Sequence, residues 1–186
     1  MSNYDDYYEL LNLMQQTYAG LLSVANKIQS VGDKYAHPFT TKQYMTLLAI
    51  LHMPEDEATL VNISHRLGTT KQNTAQIIKS LEKKEVIFVE KSEKDKRSKL
   101  IKLTTHGENE LMNISDKMTA TLMADLFHNF EKEELANLLN SLKKIYAFDG
   151  HSLPGLDEQP KLVDFDEDEI NNFMNNFIDR LGQNKL

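Results

Sequence analysis

Gly68 constrains the fold of this chain most, because it forms a tight joint between two short helical segments. Apolar spacing predicts the first helix over residues 60–67. A glycine directly after it can adopt the left-handed conformation that ends a helix without steric cost. The second helix is predicted to run from there to about Lys84, with the hydroxyl of Thr69 or Thr70 capping its first turn.

Two apolar runs, residues 86–89 and 100–103, follow the second helix. A polar stretch over residues 92–98 separates them, so we predict two short strands joined by a charged tip. The order helix, tight turn, helix and hairpin is typical of a winged helix-turn-helix. In that unit the second helix lies in the major groove of DNA and presents its N-terminal side chains to the base edges.

The region ahead of this unit is predicted to contain a long helix. Apolar residues at three- and four-residue spacing place it from residue 5 to about residue 30. Gly32 and Asp33, followed by Pro38, are expected to break it.

A further helix is predicted to begin after Thr40. Thr40 and Gln43 form a Thr-x-x-Gln capping box, in which each side chain bonds to the backbone of the other residue. Phe39 and Tyr44 have the spacing of a hydrophobic staple. This helix is expected to stop ahead of Pro54, because proline disfavours helix in the residue before it.

The part after the hairpin is predicted to be helical, with one irregular linker. Apolar stripes predict amphipathic helices around residues 111–126 and 135–145, a linker around residues 154–160, and a tail helix over residues 166–181. One small lobe cannot cover so much apolar surface, so we predict a two-fold homodimer. The tail helix is expected to pack on the helical end, in its own subunit or the partner's, and to stabilise the dimer.

The formal net charge of −7 is distributed unevenly along the chain. Residues 1–60 contain three basic and seven acidic side chains, a net charge of −4. Residues 61–105 contain eleven and five, or +6, and residues 106–186 contain seven and sixteen, or −9. A basic island between acidic flanks is expected where one sub-region meets the phosphates of nucleic acid. The alternative is a solvated helix face followed by a charged turn.

The second helix of the unit is predicted to have an inner apolar face and an outer polar face. At about 100° per residue, Thr74, Ile78 and Leu81 share the inner face. The amides of the outer face can donate and accept together, which is the pattern that adenine offers in the major groove. The alternative is an ordinary solvated face. The candidate DNA-binding residues of this helix are Thr69, Thr70, Lys71, Gln72, Asn73 and Gln76.

The tip of the hairpin carries four basic residues among the seven from residue 93 to residue 99. A projecting basic hairpin can lie along the phosphates or place a guanidinium in the minor groove. The alternative is a solvated tip whose lysines prevent edge-to-edge aggregation. The candidate DNA-binding residues of the tip are Lys94, Lys96, Arg97 and Lys99.

The run from Asp95 to Gly107 resembles the Asp-x-Arg…Leu-Thr-x-x-Gly signature of MarR-family regulators. Residues 67–84 resemble the recognition helix of that family, and residues 39–44 resemble the start of its second helix. The resemblance implies a mainly helical fold with a small β-hairpin wing, in which a winged helix-turn-helix lobe joins a helical dimerisation region. It also implies that Arg97 reaches the minor groove and that Asp95 orients it.

The resemblance covers residues 5–148 and sets the expected organisation. Residues 1–148 form the MarR-like unit, with the winged lobe at 36–104 and dimerisation helices at 1–35 and 105–148, whereas residues 149–186 form a linker and an extra amphipathic helix. Relatives of this kind often bind a small aromatic or anionic effector between the dimerisation helices and the lobe. The candidates to line such a cleft are Tyr18, Tyr35, His37 and Tyr44.

Two features depart from the family pattern. Glu85 stands where relatives usually have glycine after the recognition helix, and a left-handed backbone there would cost about 1 kcal/mol. The segment from residue 149 to residue 186 exceeds the usual family length, so its role cannot be inherited.

The expected function is that of a sequence-specific DNA-binding transcriptional regulator, and a repressor is the expected type. It would act as a homodimer on a near-palindromic operator of double-stranded DNA and be released by a small effector. The alternative is a winged helix that binds protein instead of DNA. The basic tip disfavours this alternative, because protein binding has no need of positive charge there.

Other classes of function lack a candidate site. The chain has no cysteine and no catalytic motif, so we expect neither enzyme activity nor a cofactor. The six histidines form no His-x-x-x-His pair, and we predict no metal site, although a zinc site assembled from distant histidines is the alternative. The acidic N-terminus and the lack of a long apolar run predict a cytoplasmic protein without a membrane segment.

Overall fold

The chain folds into a mainly helical protein with one two-stranded hairpin, which confirms the predicted fold class. A computed structural model describes residues 3–92, 98–151 and 167–184. The helices and strands are α1 (Asn3–Tyr35), α2 (Thr41–His52), α3 (Leu60–Arg66), α4 (Lys71–Lys83), β1 (Ile87–Lys91), β2 (Lys99–Leu103), α5 (Thr105–Ser115), a π-helical segment (Asp116–Thr121), α6 (Leu122–Phe127), α7 (Lys132–Tyr146), a 3-10 turn (Ala147–Asp149) and α8 (Glu167–Asn184).

Helices α2, α3 and α4 contact one another and form the core of the predicted helix-turn-helix. One fully buried residue from each helix marks this core: Leu47, Ile63 and Leu81. The capping box of α2 is formed as predicted, with Gln43 N donating to Thr40 Oγ1 at 3.2 Å and Thr40 N donating to Gln43 Oε1 at 3.1 Å. The joint after α3 also matches the prediction, since Gly68 has a positive φ of 58°.

The hairpin packs its inner face on the helix-turn-helix. Strands β1 and β2 are antiparallel, and Val89 lies opposite Ile101. The predicted first strand began too early, because Val86 precedes β1 and is buried in the core. The chain ahead of α3 adds to β2, where Ile101 N donates to the carbonyl of Ala58 at 2.8 Å.

The end of α1 differs from the prediction. Gly32 and Asp33 were expected to break this helix, but it continues to Tyr35. Both residues instead contact Thr41, the first residue of α2. A Cβ at Gly32 would lie 2.6 Å from Thr41 Oγ1. The backbone N–H of Thr41 donates to Asp33 Oδ1 at 2.7 Å. Gly32 is therefore required for a close helix–helix approach and is not a stop signal.

The helices after the hairpin extend the core of the lobe. The buried Leu111, Ile114, Met118 and Leu122 belong to the same apolar cluster as Leu47 of α2. The helix predicted around residues 111–126 is interrupted by the π-helical segment, in which Leu122 N donates to the carbonyl oxygen of Lys117, five residues earlier.

The tail helix α8 packs on the π-helical segment and on α6 of its own chain. This placement agrees with the expectation that the tail covers the helical end. Within the described ranges, no helix has both the length and the apolar character that a membrane span needs.

Candidate nucleic-acid interface

Helix α4 presents a polar outer face because its apolar residues are fixed in the core. Thr74 and Leu81 are fully buried and Ile78 is nearly so, which confirms the predicted inner face. The side chains of Gln72 and Gln76, together with that of Asn73, are exposed on the other side. The amide-bearing surface is therefore held in place by the buried residues behind it.

The first turn of α4 is fixed by the residues that precede it. Thr70 is the N-cap: its Oγ1 accepts from Asn73 N at 3.2 Å, and its carbonyl accepts from Thr74 Oγ1 at 3.1 Å. Thr69 lies in the turn, half-buried, and its N–H donates to the carbonyl of Ser64 at 3.0 Å. Lys71 is the first helical residue and is exposed.

Gln43 of α2 connects two elements, and the sequence reasoning did not identify it as part of the interface. Its Oε1 completes the capping box with Thr40, while its Nε2 donates to Ser80 Oγ of α4 at 2.9 Å. One side chain thus caps α2 and fixes the distance from α2 to α4. The capping-box pattern reveals the first role, but the second depends on the packing of two helices.

A cavity of about 660 Å³ opens beside the outer face of α4. It lies between the start of α2, the turn around Gly68 and the polar outer face of α4. Thr69, Asn73 and Gln76 are among its lining residues. The structure therefore brings these three candidate residues together around one concave surface.

The wing tip carries the other candidates, and most of them lie outside the described residues: Lys94, Asp95, Lys96 and Arg97. Lys99 is described at the start of β2, where it is exposed and pairs across the hairpin with Lys91, which is also exposed. Like charges directly opposite each other disfavour a hairpin slightly. The strand register reveals Lys91 as a second basic residue at the base of the tip, which the sequence reasoning missed.

Lys102, further along β2, differs from these two lysines. Its Nζ lies 3.0 Å from Glu90 Oε1 and 3.1 Å from Glu55 Oε2. The hydrogen bond to Glu90, followed by that to Glu55, raises the pKa of Lys102. This lysine is neutralised within the chain, whereas Lys91 and Lys99 extend the positive charge of the tip.

The comparisons with known proteins agree on one family. The MarR family model matches residues 37–98. An uncharacterized HTH-type transcriptional regulator of Staphylococcus aureus (strain MSSA476) is 29% identical over 105 residues, which is 54% of this chain and 70% of the relative. Wild-type apo MarR from E. coli is 25% identical, with a TM-score of 0.55 over 67% of this chain and 93% of MarR.

Residues 37–98 of the chain are thus similar to the MarR family. A mutant MarR from E. coli complexed with operator DNA has the same fold, with 23% identity and a TM-score of 0.60 over 78% of this chain and 99% of the other. The residues that match the MarR family model run from the loop before α2 to Ser98, just ahead of β2. Helix α8 lies outside them.

The Leu-Thr-x-x-Gly segment that resembles the MarR-family signature is a structural joint in this chain. Thr104 Oγ1 accepts from Gly107 N at 2.9 Å and donates to the carbonyl of Glu85 at 2.7 Å. Thr104 N donates to the carbonyl of Val86 at 3.1 Å. A Cβ at Gly107 would overlap that same carbonyl. These two signature residues therefore attach the first strand of the wing to the start of α5.

Glu85, which departs from the family pattern, has a left-handed backbone with φ of 60°. The backbone strain that a left-handed conformation would impose at this position is therefore present, because a residue with a Cβ occupies a conformation that favours glycine.

The four residues predicted to line an effector cleft differ in exposure. Tyr18 is exposed on α1, and His37 is exposed in the loop after it. Tyr35 donates to Asp125 of α6, whereas Tyr44 is buried in the core with its hydroxyl 3.3 Å from Thr119 Oγ1. None of the four lines the cavity beside α4. Tyr35 packs against the same apolar core that contains Tyr44.

Proposed function

We propose that this chain is a sequence-specific transcriptional regulator that binds double-stranded DNA as a homodimer, in the cytoplasm, and represses transcription from its site. The observation that carries the proposal is the exposed amide face of α4, held outward by buried residues on the opposite side of the same helix. The N-terminal side chains of such a helix meet base edges when it enters the major groove.

Charge supports DNA as the partner. The basic surplus of residues 61–105 includes the lysines at the base of the wing tip, and Arg97 lies within the tip. Phosphate contacts by such side chains position a protein on the duplex, while the α4 amides read the bases. A related MarR, described as complexed with operator DNA, has the same fold.

Exposed apolar surface supports the homodimer. Helix α7 contributes no buried residue, and its Leu138, Leu139, Leu142 and Ile145 are exposed. The first half of α1 likewise exposes Leu10, Leu11 and Met14. Exposed apolar stripes of this kind mark an interaction surface. A second copy of the same chain would cover it and place two copies of α4 about one helical turn, ~10 bp, apart.

The mode of action follows from this geometry. A dimer bound across adjacent half-sites blocks access to the DNA beneath it, so repression needs no further surface on the protein. None of the four predicted cleft residues lines the cavity beside α4, so the proposal assigns no effector site to them.

The decisive experiment compares base preference in variants of α4. Randomised-site selection with the wild type should recover a near-palindromic site. Gln72→Ala and Asn73→Ala should relax the preference at particular base pairs, each worth ~1–3 kcal/mol of discrimination. Glu82→Gln, exposed three turns further along the same helix, is the matched control and should leave the selected sequence unchanged.

Two outcomes would contradict the proposal. Unchanged preferences in both amide variants would show that α4 is not the reading helix. A wild-type protein that binds no duplex at low salt would instead favour a winged helix that binds protein.

A further inference from the structure

Helix α8 lies outside the residues that match the MarR family model, and it packs on the helical end. It contacts the π-helical segment and α6. Phe173, Phe177 and Leu181 are half-buried, whereas Met174 and Ile178 remain exposed. One edge of the apolar stripe therefore faces the docking surface.

A three-residue polar cluster fixes the docked position. Arg180 binds the carboxylate of Asp125 with two hydrogen bonds, from Nε to Oδ1 at 2.6 Å and from Nη2 to Oδ2 at 2.9 Å. The hydroxyl of Tyr35 donates to the same Oδ2 at 2.5 Å. The side chain of Asp125 is only 19% exposed, so both partners replace water that this carboxylate has lost.

This cluster lies where the helical end meets the winged lobe. Tyr35 is the last residue of α1, and the next residue, Ala36, is fully buried in the core of the lobe. Another connection is made by the π-helical segment, because the hydroxyl of its Thr119 lies 3.3 Å from the hydroxyl of Tyr44 of α2. Helix α8 thus contacts α6 and the π-helical segment, two of the elements that connect the helical end with the lobe.

We propose that α8 is an intramolecular clamp that holds the winged lobe at a fixed angle to the helical end and thereby strengthens DNA binding. The inference rests on the proposed function, since its consequence is measured on DNA. Two recognition helices must reach two half-sites at a set spacing. A joint that is already fixed loses less conformational freedom on binding than a loose one.

The first measurement tests docking without DNA. An 18-residue helix that is undocked is marginally stable in water, so its amide hydrogens exchange quickly. Exchange should be slow in α8 of the wild type and faster in Arg180→Ala and in the double variant Phe177→Asp/Arg180→Ala. Asp179→Asn, a charge change at the neighbouring exposed position, is the matched control and should leave the exchange slow.

The second measurement tests the consequence on DNA. Fluorescence anisotropy with the duplex recovered by randomised-site selection should show a Kd raised about fivefold or more in the double variant, the scale typical of a coupled site. The Kd of Asp179→Asn should be unchanged. Sedimentation at the same concentration confirms that each variant retains the assembly state of the wild type, so that a loss of dimer does not imitate the effect.

Each failure has a separate meaning. Fast exchange of α8 in the wild type would overturn the docking itself. Fast exchange in the double variant with an unchanged Kd would overturn the clamp while leaving the proposed function intact. If the wild type binds no duplex, the proposed function fails and the DNA role of the clamp fails with it, although the exchange data still report whether α8 is docked.

Discussion

Single residues at the start of the wing set its direction relative to the recognition helix. Glu85 takes the chain out of α4 in a left-handed conformation, and its carbonyl accepts the hydroxyl of Thr104. Val86 follows Glu85, and Gly107 lies against the carbonyl of Val86. The path from helix to strand therefore depends on one strained residue and on one glycine that has no room for a side chain.

Replacing Glu85 with glycine should stabilise the protein. The left-handed conformation costs a residue with a Cβ about 1–2 kcal/mol, of which the greater flexibility of glycine in the unfolded chain offsets a part. We expect Glu85→Gly to raise the free energy of unfolding by about 0.5–1 kcal/mol in urea titrations. Glu82→Gly, inside α4, should lower it by about 1 kcal/mol. Equal effects of the two substitutions would show that the strain at Glu85 is negligible.

Replacing Gly107 with alanine should have the opposite result. The added methyl group overlaps a backbone carbonyl that cannot rotate away, so the wing must shift from α5. We expect Gly107→Ala to lower the free energy of unfolding by about 1–3 kcal/mol. Gly182→Ala in α8, where no atom lies within 4 Å of the added carbon, should raise it slightly. A thermal melt of Gly107→Ala that matches the wild type would refute this reading.

Residue-scale features were predictable where they depend on near neighbours in sequence. The capping box of Thr40 and Gln43 and the left-handed Gly68 are local, and both are confirmed. The role of Gly32 was mispredicted because it depends on Thr41, which contacts it only after α2 folds back on α1. A glycine in a sequence does not reveal whether it ends a helix or admits a neighbour.

At the scale of elements, the hairpin has two exposed lysines at its tip end and one lysine that is ion-paired within the chain. Lys91 and Lys99 face each other at the base of the tip, while Lys102 is held by two carboxylates. The sequence showed only that the hairpin is basic, because the strand register and the packing of Glu55 decide which charges are neutralised.

This difference predicts distinct salt dependences. Lys91→Ala and Lys99→Ala should each weaken DNA binding about uniformly across sequences and reduce the slope of log K against log salt by about 1. Lys102→Ala, three residues after Lys99 on the same strand, is the matched control and should leave the slope unchanged. Anisotropy titrations at several salt concentrations measure it, and a reduced slope for Lys102→Ala alone would reverse the assignment.

At the scale of the whole molecule, the apolar stripes of α1 and α7 require a covering surface. The sequence predicted these stripes from their periodicity, and the structure leaves them exposed in a single chain. The sequence analysis predicted that α8 packs on the helical end, but periodicity could not show which elements it contacts there, the π-helical segment and α6. The ion pair of Arg180 with Asp125 joins residues too distant in sequence for any local pattern to indicate.

A charge placed in the stripe of α7 should separate the proposed dimer. Leu142→Lys puts an ammonium group where the partner's apolar surface would lie, so we expect the dimer dissociation constant to rise at least tenfold, which corresponds to about 1.4 kcal/mol. Asn140→Lys adds the same charge on the opposite face of the helix and should change little. Sedimentation equilibrium measures both, and a wild type that is monomeric at micromolar concentration would contradict the dimer itself.

The π-helical segment has a consequence for the rotational phase of the helices on either side of it. A turn closed by a bond to the fifth preceding residue contains about one residue more than an α-helical turn. If the segment tightened into ordinary α-helix, α6 would rotate by about 100° relative to α5, and Asp125 would turn away from Tyr35 and Arg180. Deleting one exposed residue here, such as Lys117, would let the helix become regular while Asp125 kept its direction.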